Sequence, residues 1–520
     1  GEIKLYRDVS YLYPPLAPYL IAAIVAAVGS SLGTMTAIGI LASLAIASLL
    51  YLLGRKIGGV VPAAIVAFLF VTIHVAGTSG YSFNFIFPYS HNAVFGFLFI
   101  LLFLYALLRY AVYEEGQTWL WMALLSGSLA SWSKIEFAAA FLILLAASFF
   151  VRKPRLSPLV VAGGLNALLL AALEWYFSDA PPVRHWLTEN ILPQSLLSGG
   201  VAREFYGRIQ GLDDPGANLA ISAGGALLII AATGALAAID RWQAKPNGRL
   251  FGTMSLVALL FLIQFVLAQH FLLFRGWFII QILLVPWAVR ARRSTPLFLL
   301  LLFSLLLGSR ILLRLEPTWY GFLFSIPAEI VMAYVLFEEL PRRGVYRPRV
   351  ALLWLPLFVL LGLAAVTNQH QVYEERHDNP VSTKRGVFYD RLDDRAEIFN
   401  ELFAYLDLRE PESMIVVPEG LALNWLAEVP VSFPYHTFSP AEMPDAASQT
   451  RIIEELRANP PEIALLLRRD YGEFGFRGIG VDFGKELIGE NECRYEPTTY
   501  RESERDYVVM MERKRERSCP

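Results

Sequence analysis

Thirteen apolar segments fill the first 366 residues of this chain, and from Thr367 to Pro520 the sequence turns polar and charged. Runs such as 297–313 and 93–108, with their flanks, approach the roughly 20 residues that a ~30 Å hydrocarbon core needs at ~1.5 Å per helical residue. Lipid offers a peptide group no hydrogen-bond partner, so a crossing segment must satisfy its backbone internally and is helical. The chain therefore reads as a polytopic α-helical membrane protein. It has about 12–13 apolar helices over residues 1–366 and a small C-terminal α/β domain over 367–520.

Composition narrows the partners. With 55% hydrophobic residues and a mean hydropathy of +0.47, the chain lies outside the soluble range, and its net charge of -2 provides no basic surface for nucleic acid. Both cysteines, Cys493 and Cys519, fall in the polar tail, which allows a disulfide without requiring one. No metal-ligand cluster is visible, so a divalent cation has no support in the sequence and no cofactor is identified. The chain starts at Gly1 inside a polar stretch that runs to Tyr13, which reads as a natural N-terminus that is missing.

Basic residues set the expected orientation, because Lys and Arg gather in cytoplasmic loops. Clusters at 55–56, 152–155, 241–249, 290–293 and 342–349 all fall on one side when crossings are counted from 152–155. That count places the loops 78–92 and 178–216, the turns near Arg275 and 314–319, and the whole C-terminal domain outside a cell (inner) membrane. The run 16–31, entered through Pro14-Pro15, cannot cross without inverting everything after it. It suits a helix lying along the outer interface. In the tail, helices are expected over 395–406 and 449–458, with strands over 414–417, 463–467 and 507–511.

A central charge in a bilayer costs roughly 2.5–3.5 kcal/mol on insertion scales, so every such residue is a functional candidate. Lys134 and Glu136 share one outer turn. Arg310 and Glu316 share another, near Tyr320, and Arg275 lies at a third. Arg203 lies in the long loop 178–216, whose stretch 203–208 (REFYGR) can offer guanidinium groups to a lipid phosphate. Glu329 falls in the middle of its span and should face the protein interior with a partner. Tyr89 and His91 lie in an aromatic outer loop. The plainer reading stands beside each: Lys and Arg near helix ends snorkel, Glu136 can simply pair with Lys134, and aromatics at this depth mark the interfacial belt.

At Tyr6-Arg7-Asp8, followed by Tyr13-Pro14-Pro15-Leu16, the sequence resembles the first outer loop of GT-C type membrane glycosyltransferases, close to the protein mannosyltransferase and aminoarabinose transferase group of glycosyltransferase family 39. The FPYSHN stretch at 87–92, the run 127–130 leading to Lys134 and Glu136, VVPEG at 416–420, EFG at 473–475 and DFG at 482–484 add to the likeness. The resemblance implies transfer of a sugar from a polyprenyl-phosphate donor to an acceptor glycan, lipid or protein on the outer face, with membrane lipid as surroundings. It implies an acidic base that would precede Gly1, so the catalytic residue is unknown here. Tyr6, Arg7, Asp8 and Tyr13 remain as first-loop candidates, with Asp8 matching the acid beside that base. Tyr13 stands where aminoarabinose transferases carry a Lys, so Lys134, Arg203, Arg275 or Arg310 would supply the charge for the donor phosphate.

Two other classes remain open. A transporter or flippase of a lipid-linked or anionic substrate would also use many helices and buried charges, but neither the internal repeats nor the broken midplane helices common in such folds are visible. A non-catalytic membrane scaffold whose outer domain binds a partner is the third reading.

Overall fold

The computed structural model describes residues 5–9, 11, 13–76, 84–87, 90–152, 156–176, 201–242, 272–292, 296–315, 320–376, 378–390, 392–440, 443, 446–467, 471–472, 475–502 and 507–513. The membrane part runs α1 (Leu16–Val28), α2 (Leu32–Gly58), α3 (Val60–Leu69), α4 (His91–Ala111), α5 (Gln117–Ser131), α6 (Ile135–Ser148) and α7 (Leu156–Tyr176). It continues with α8 (Val201–Ile209), α9 (Pro215–Trp242), α10 (Leu272–Arg290), α11 (Leu297–Gly308), α12 (Ile326–Tyr334) and α13 (Leu355–Arg376). Each apolar run of the sequence coincides with one of these helices except 251–270, which lies outside the described residues. Among the described residues seven helices are long and apolar enough to cross a membrane, including Gly321–Arg342, which contains α12, and Pro348–Glu375, which contains most of α13. Four more apolar helices are shorter.

Local chemistry sets the helix boundaries and their closeness. Ser31 caps α2 by accepting from the Thr34 N–H at 3.0 Å, satisfying one of the orphan donors of the first turn. Helices α9 and α10 touch backbone to backbone at Gly225 and Gly276, where an added Cβ would come within 2.2 Å of the Leu272 carbonyl oxygen or 2.1 Å of the Gly225 carbonyl carbon. Small residues permit such approach where no hydrophobic force drives helices together in lipid.

The basic residues mark one end of the bundle. Lys56 at the close of α2 and Arg109 at the close of α4 both bind Glu115, at 2.6 and 2.5 Å. Arg347 binds Asp240 of α9 at 2.6 Å, and Arg343 lies 3.8 Å over the Trp287 ring of α10. Gly58 packs near the Glu338 side chain, joining the two groups. The opposite end meets the C-terminal domain: Leu32 N donates to the Arg385 carbonyl at 2.9 Å, and Trp425 Nε1 donates to Ser30 Oγ at 3.0 Å. Helix α1 starts at that end, with Leu16 N on the Trp132 carbonyl at 3.1 Å, and finishes there beside Ser30. It lies along the end of the bundle.

The domain begins later than the composition change suggests, because α13 carries through Thr367 to Arg376. A hairpin of β1 (Pro380–Thr383) and β2 (Gly386–Tyr389) follows, then α14 (Asp393–Arg409), β3 (Met414–Val417), α15 (Leu421–Ala427), α16 (Ala446–Ala458) and β4 (Ile463–Leu467). The last elements are α17 (Lys485–Arg494), β5 (Tyr495–Glu502) and β6 (Tyr507–Arg513). The main sheet has the order β3-β4-β6-β5, with β3 and β4 parallel in the register Met414 to Ile463. Alternate residues bury on opposite faces, Met414, Val416 and Leu465 toward Leu402 and Leu406 of α14, and Ile415, Val417 and Ala464 toward Ile452 of α16 and Leu487 of α17. The sequence-derived strands over 414–417 and 463–467 match these bounds. The hairpin, α15, α17 and β5 were not foreseen, since short strands and a seven-residue helix carry too few turns to show a period.

Candidate functional site at the domain end of the bundle

Lys134 precedes α6 in extended backbone, and Glu136 stands in the first turn of that helix. The Lys134 side chain is almost wholly buried, 2% of the residue being exposed, and its Nζ lies 3.3 Å from Glu136 Oε1. From the turn after α11, Arg310 brings Nε to 3.4 Å of the same oxygen. Two cations thus converge on one carboxylate whose other oxygen, Oε2, is buried without a hydrogen-bond partner. Aromatic rings floor the group. Lys134 Nζ lies 5.6 Å from the Tyr13 ring and 5.3 Å from that of Phe324, and the Arg310 guanidinium carbon lies 5.4 Å from the Tyr206 ring.

The first loop reaches this cluster through Tyr13. Tyr6, with a left-handed φ of 68°, donates its hydroxyl to the Tyr13 carbonyl at 2.7 Å, and the rings of Tyr11 and Tyr13 meet edge to face at 5.8 Å. Asn92 Nδ2, at the start of α4, donates to the Tyr11 hydroxyl. Next to it the Nε2 of His91 is buried without a partner. Arg7 and Asp8 pair with one another at 2.7 Å, with their side chains 41% and 34% exposed. Beside Lys134 opens a cavity of about 210 Å³ lined by Pro14, Ser131, Trp132, Ile135, Ala138, Asn166 and Leu170. Asn166 accepts from Trp132 Nε1 at 3.1 Å, and α7, which carries it, leaves Leu165, Leu168 and Leu169 exposed on its flank.

The other sequence candidates separate. Arg203 is exposed on α8, and that helix reaches the cluster through Tyr206. Arg275 is 9% exposed and turns to the Leu315 carbonyl at 3.4 Å and Asn218 Oδ1 at 3.3 Å, behind the turn that carries Arg310. Glu329 is fully buried and pairs with His74 Nε2 at 2.6 Å, the imidazole lying between the rings of Phe70 and Phe322. Tyr89, Glu316 and the Tyr320 side chain lie outside the described residues. Among the described residues no group of three or more His, Cys, Asp or Glu could hold a metal ion. Sequence reasoning missed Trp132, Asn166 and Phe324 as site lining. Apolar spans are full of aromatics, so nothing in the sequence marks Trp132 and Phe324, whereas Asn166, a lone amide inside the apolar run 158–176, carried a signal.

No family model and no curated protein matches the chain. Among solved structures it is similar to ArnT from Cupriavidus metallidurans bound to undecaprenyl phosphate, at 11% identity and a TM-score of 0.49 over 96% of this chain and 88% of that one. The same protein in the apo state gives a TM-score of 0.45 at 11% identity, over 97% and 90%. The oligosaccharyltransferase of Archaeoglobus fulgidus, in complex with zinc and sulfate, gives 0.44 at 17% identity over 97% of this chain and 65% of its own.

Proposed function

We propose that this protein is a membrane glycosyltransferase that moves a sugar from a polyprenyl-phosphate carrier to an acceptor on the outer face of the membrane. The observation that carries the reading is the convergence of Lys134 and Arg310 on Glu136, beside an apolar cavity that ends on α7. Negative charge grows on the carrier phosphate as the glycosidic bond breaks. An ammonium and a guanidinium held at that spot stabilise it, and they do so more strongly where protein excludes water. An isoprenoid chain needs an apolar bed that opens to lipid, which the cavity along Trp132, Ile135 and Leu170 supplies in kind.

One observation supports an outer location for the site. The basic clusters collect at the opposite end of the bundle, as cytoplasmic ends do.

The test uses the full chain in lipid nanodiscs with undecaprenyl phosphate as the probe, the lipid bound by the ArnT structure of similar fold. Binding is expected, and the Lys134→Ala, Arg310→Ala double variant should weaken it by at least about tenfold. Absence of binding, or equal affinity in the double variant, overturns the reading.

A further inference from the structure

We infer that the C-terminal domain positions Arg310 through helix α8, with Phe205 and Arg208 as positioning residues that deliver the ring of Tyr206. The inference rests on the donor-phosphate role proposed for Arg310 and assigns the domain a part in it.

Helix α8 is held from two sides. Toward the domain, Phe205 packs on the cluster built from Ile415, Val417, Phe476 and Phe483. One helical turn on, the Arg208 guanidinium rests on Gly475, where an added Cβ would come within 2.3 Å of its Cζ. Gly475 also has a φ of +86°, so a glycine there serves both the turn and the docked arginine. Tyr206 follows Phe205 on the helix, and the two rings meet edge to face at 5.4 Å, so the ring packed on the domain directly buttresses the ring of Tyr206. Toward the bundle, Tyr206 lies against the Arg310 guanidinium at 5.4 Å. The chain then continues along the same turn: the Gln210 carbonyl accepts from Leu313 N at 3.0 Å, Gly211 packs on Arg314, and Asp213 pairs with Arg314 at 3.6 Å.

The consequence is pre-organisation. The Arg310 side chain is 37% exposed, and a long side chain left to itself samples many rotamers, an entropy lost when it grips a phosphate. A ring set beneath the guanidinium and a hydrogen-bonded turn beneath its backbone remove much of that loss beforehand. Because α8 is anchored by Phe205 and Arg208, the domain sets where the ring stands.

Hydrogen exchange of the ligand-free full chain tests the linkage, and undecaprenyl phosphate affinity tests its effect. Phe205→Ala is expected to raise exchange over 308–315 while the strands 414–417 and 463–467 stay protected, and Phe205→Leu should restore the parent pattern. Affinity should fall about fivefold in Phe205→Ala and in Tyr206→Ala. A double variant should lose no more than Tyr206→Ala alone, since both act through one contact. Unchanged exchange over 308–315, or additive losses in the double variant, overturns the inference. If the parent protein binds no undecaprenyl phosphate while exchange responds as described, the linkage stands and the reading of the donor falls.

Discussion

The two ends of the helical bundle treat charge in opposite ways. At the basic end two carboxylates are closed by short contacts: Glu339 is fully buried and takes Arg342 at 2.6 Å, Arg343 at 3.0 Å and the Tyr334 hydroxyl at 2.9 Å. Glu115 is held as tightly by Lys56 and Arg109. At the domain end two cations draw on a single oxygen of Glu136 at 3.3 and 3.4 Å, and its second oxygen has no hydrogen-bond partner. The Lys56–Glu115 pair ties α2 to the turn after α4, while the Glu339 pairs fix one helical segment, and a buried ion that loses its partner is costly. At the domain end the two cations stand farther from the shared carboxylate oxygen than the partners of Glu339 and Glu115 do. Under the function proposed above, the difference separates charges that build the bundle from charges that meet the donor phosphate.

Opening the closed end should show the largest effect. Glu339→Gln is expected to lower unfolding stability by about 3 kcal/mol, read as a fall in Tm, with undecaprenyl phosphate affinity unchanged. A matching loss of affinity would erase the contrast between the ends. Lys134→Ala should do the reverse, weakening that affinity about tenfold to hundredfold, near 2 kcal/mol, with a smaller fall in Tm than Glu339→Gln causes.

Glu490 in the domain extends the closed class into water. Burial alone would raise its pKa, but ion pairs with Arg457 at 2.8 Å and with Arg494 hold it below the usual value. A lowered folded-state pKa contributes stability above the unfolded value and loses it as pH falls through the folded one. The domain's unfolding midpoint should therefore drop below about pH 4, and Glu490→Gln should flatten that slope. The same acid titration followed on parent and variant decides it, an identical slope in both being the contrary result. The smallest effect belongs to Asp240→Asn, which removes a pair whose arginine is 45% exposed. Less than about 1 kcal/mol is expected, and added salt should shrink it further in the same melting experiment.

Much of the architecture was legible because lipid imposes a length and a composition on every crossing. The runs that became α2, α4 and α9 could be read as spans. Lys134 and Glu136 were legible as a pair because they share one turn. The pairing of His74 with Glu329 was not: the sequence marked Glu329 as needing a partner without saying which, and 255 positions separate the two. The hairpin of β1 and β2 escaped because strands of four residues show no alternation long enough to tell from a loop.

The sequence alone determined that the chain divides into an apolar helical part and a polar α/β part, and that its costly charges lie near helix ends, because both follow from transferring residues out of water. Only the tertiary structure decided which of those charges meet. Arg310 joined Glu136 while Arg275 turned to Asn218 and the Leu315 carbonyl. Tyr206 came to face Arg310 because its helix is anchored by Phe205 on a domain encoded hundreds of residues later. Such meetings depend on how helices pack, and packing is a property of surfaces that no single stretch of chain contains.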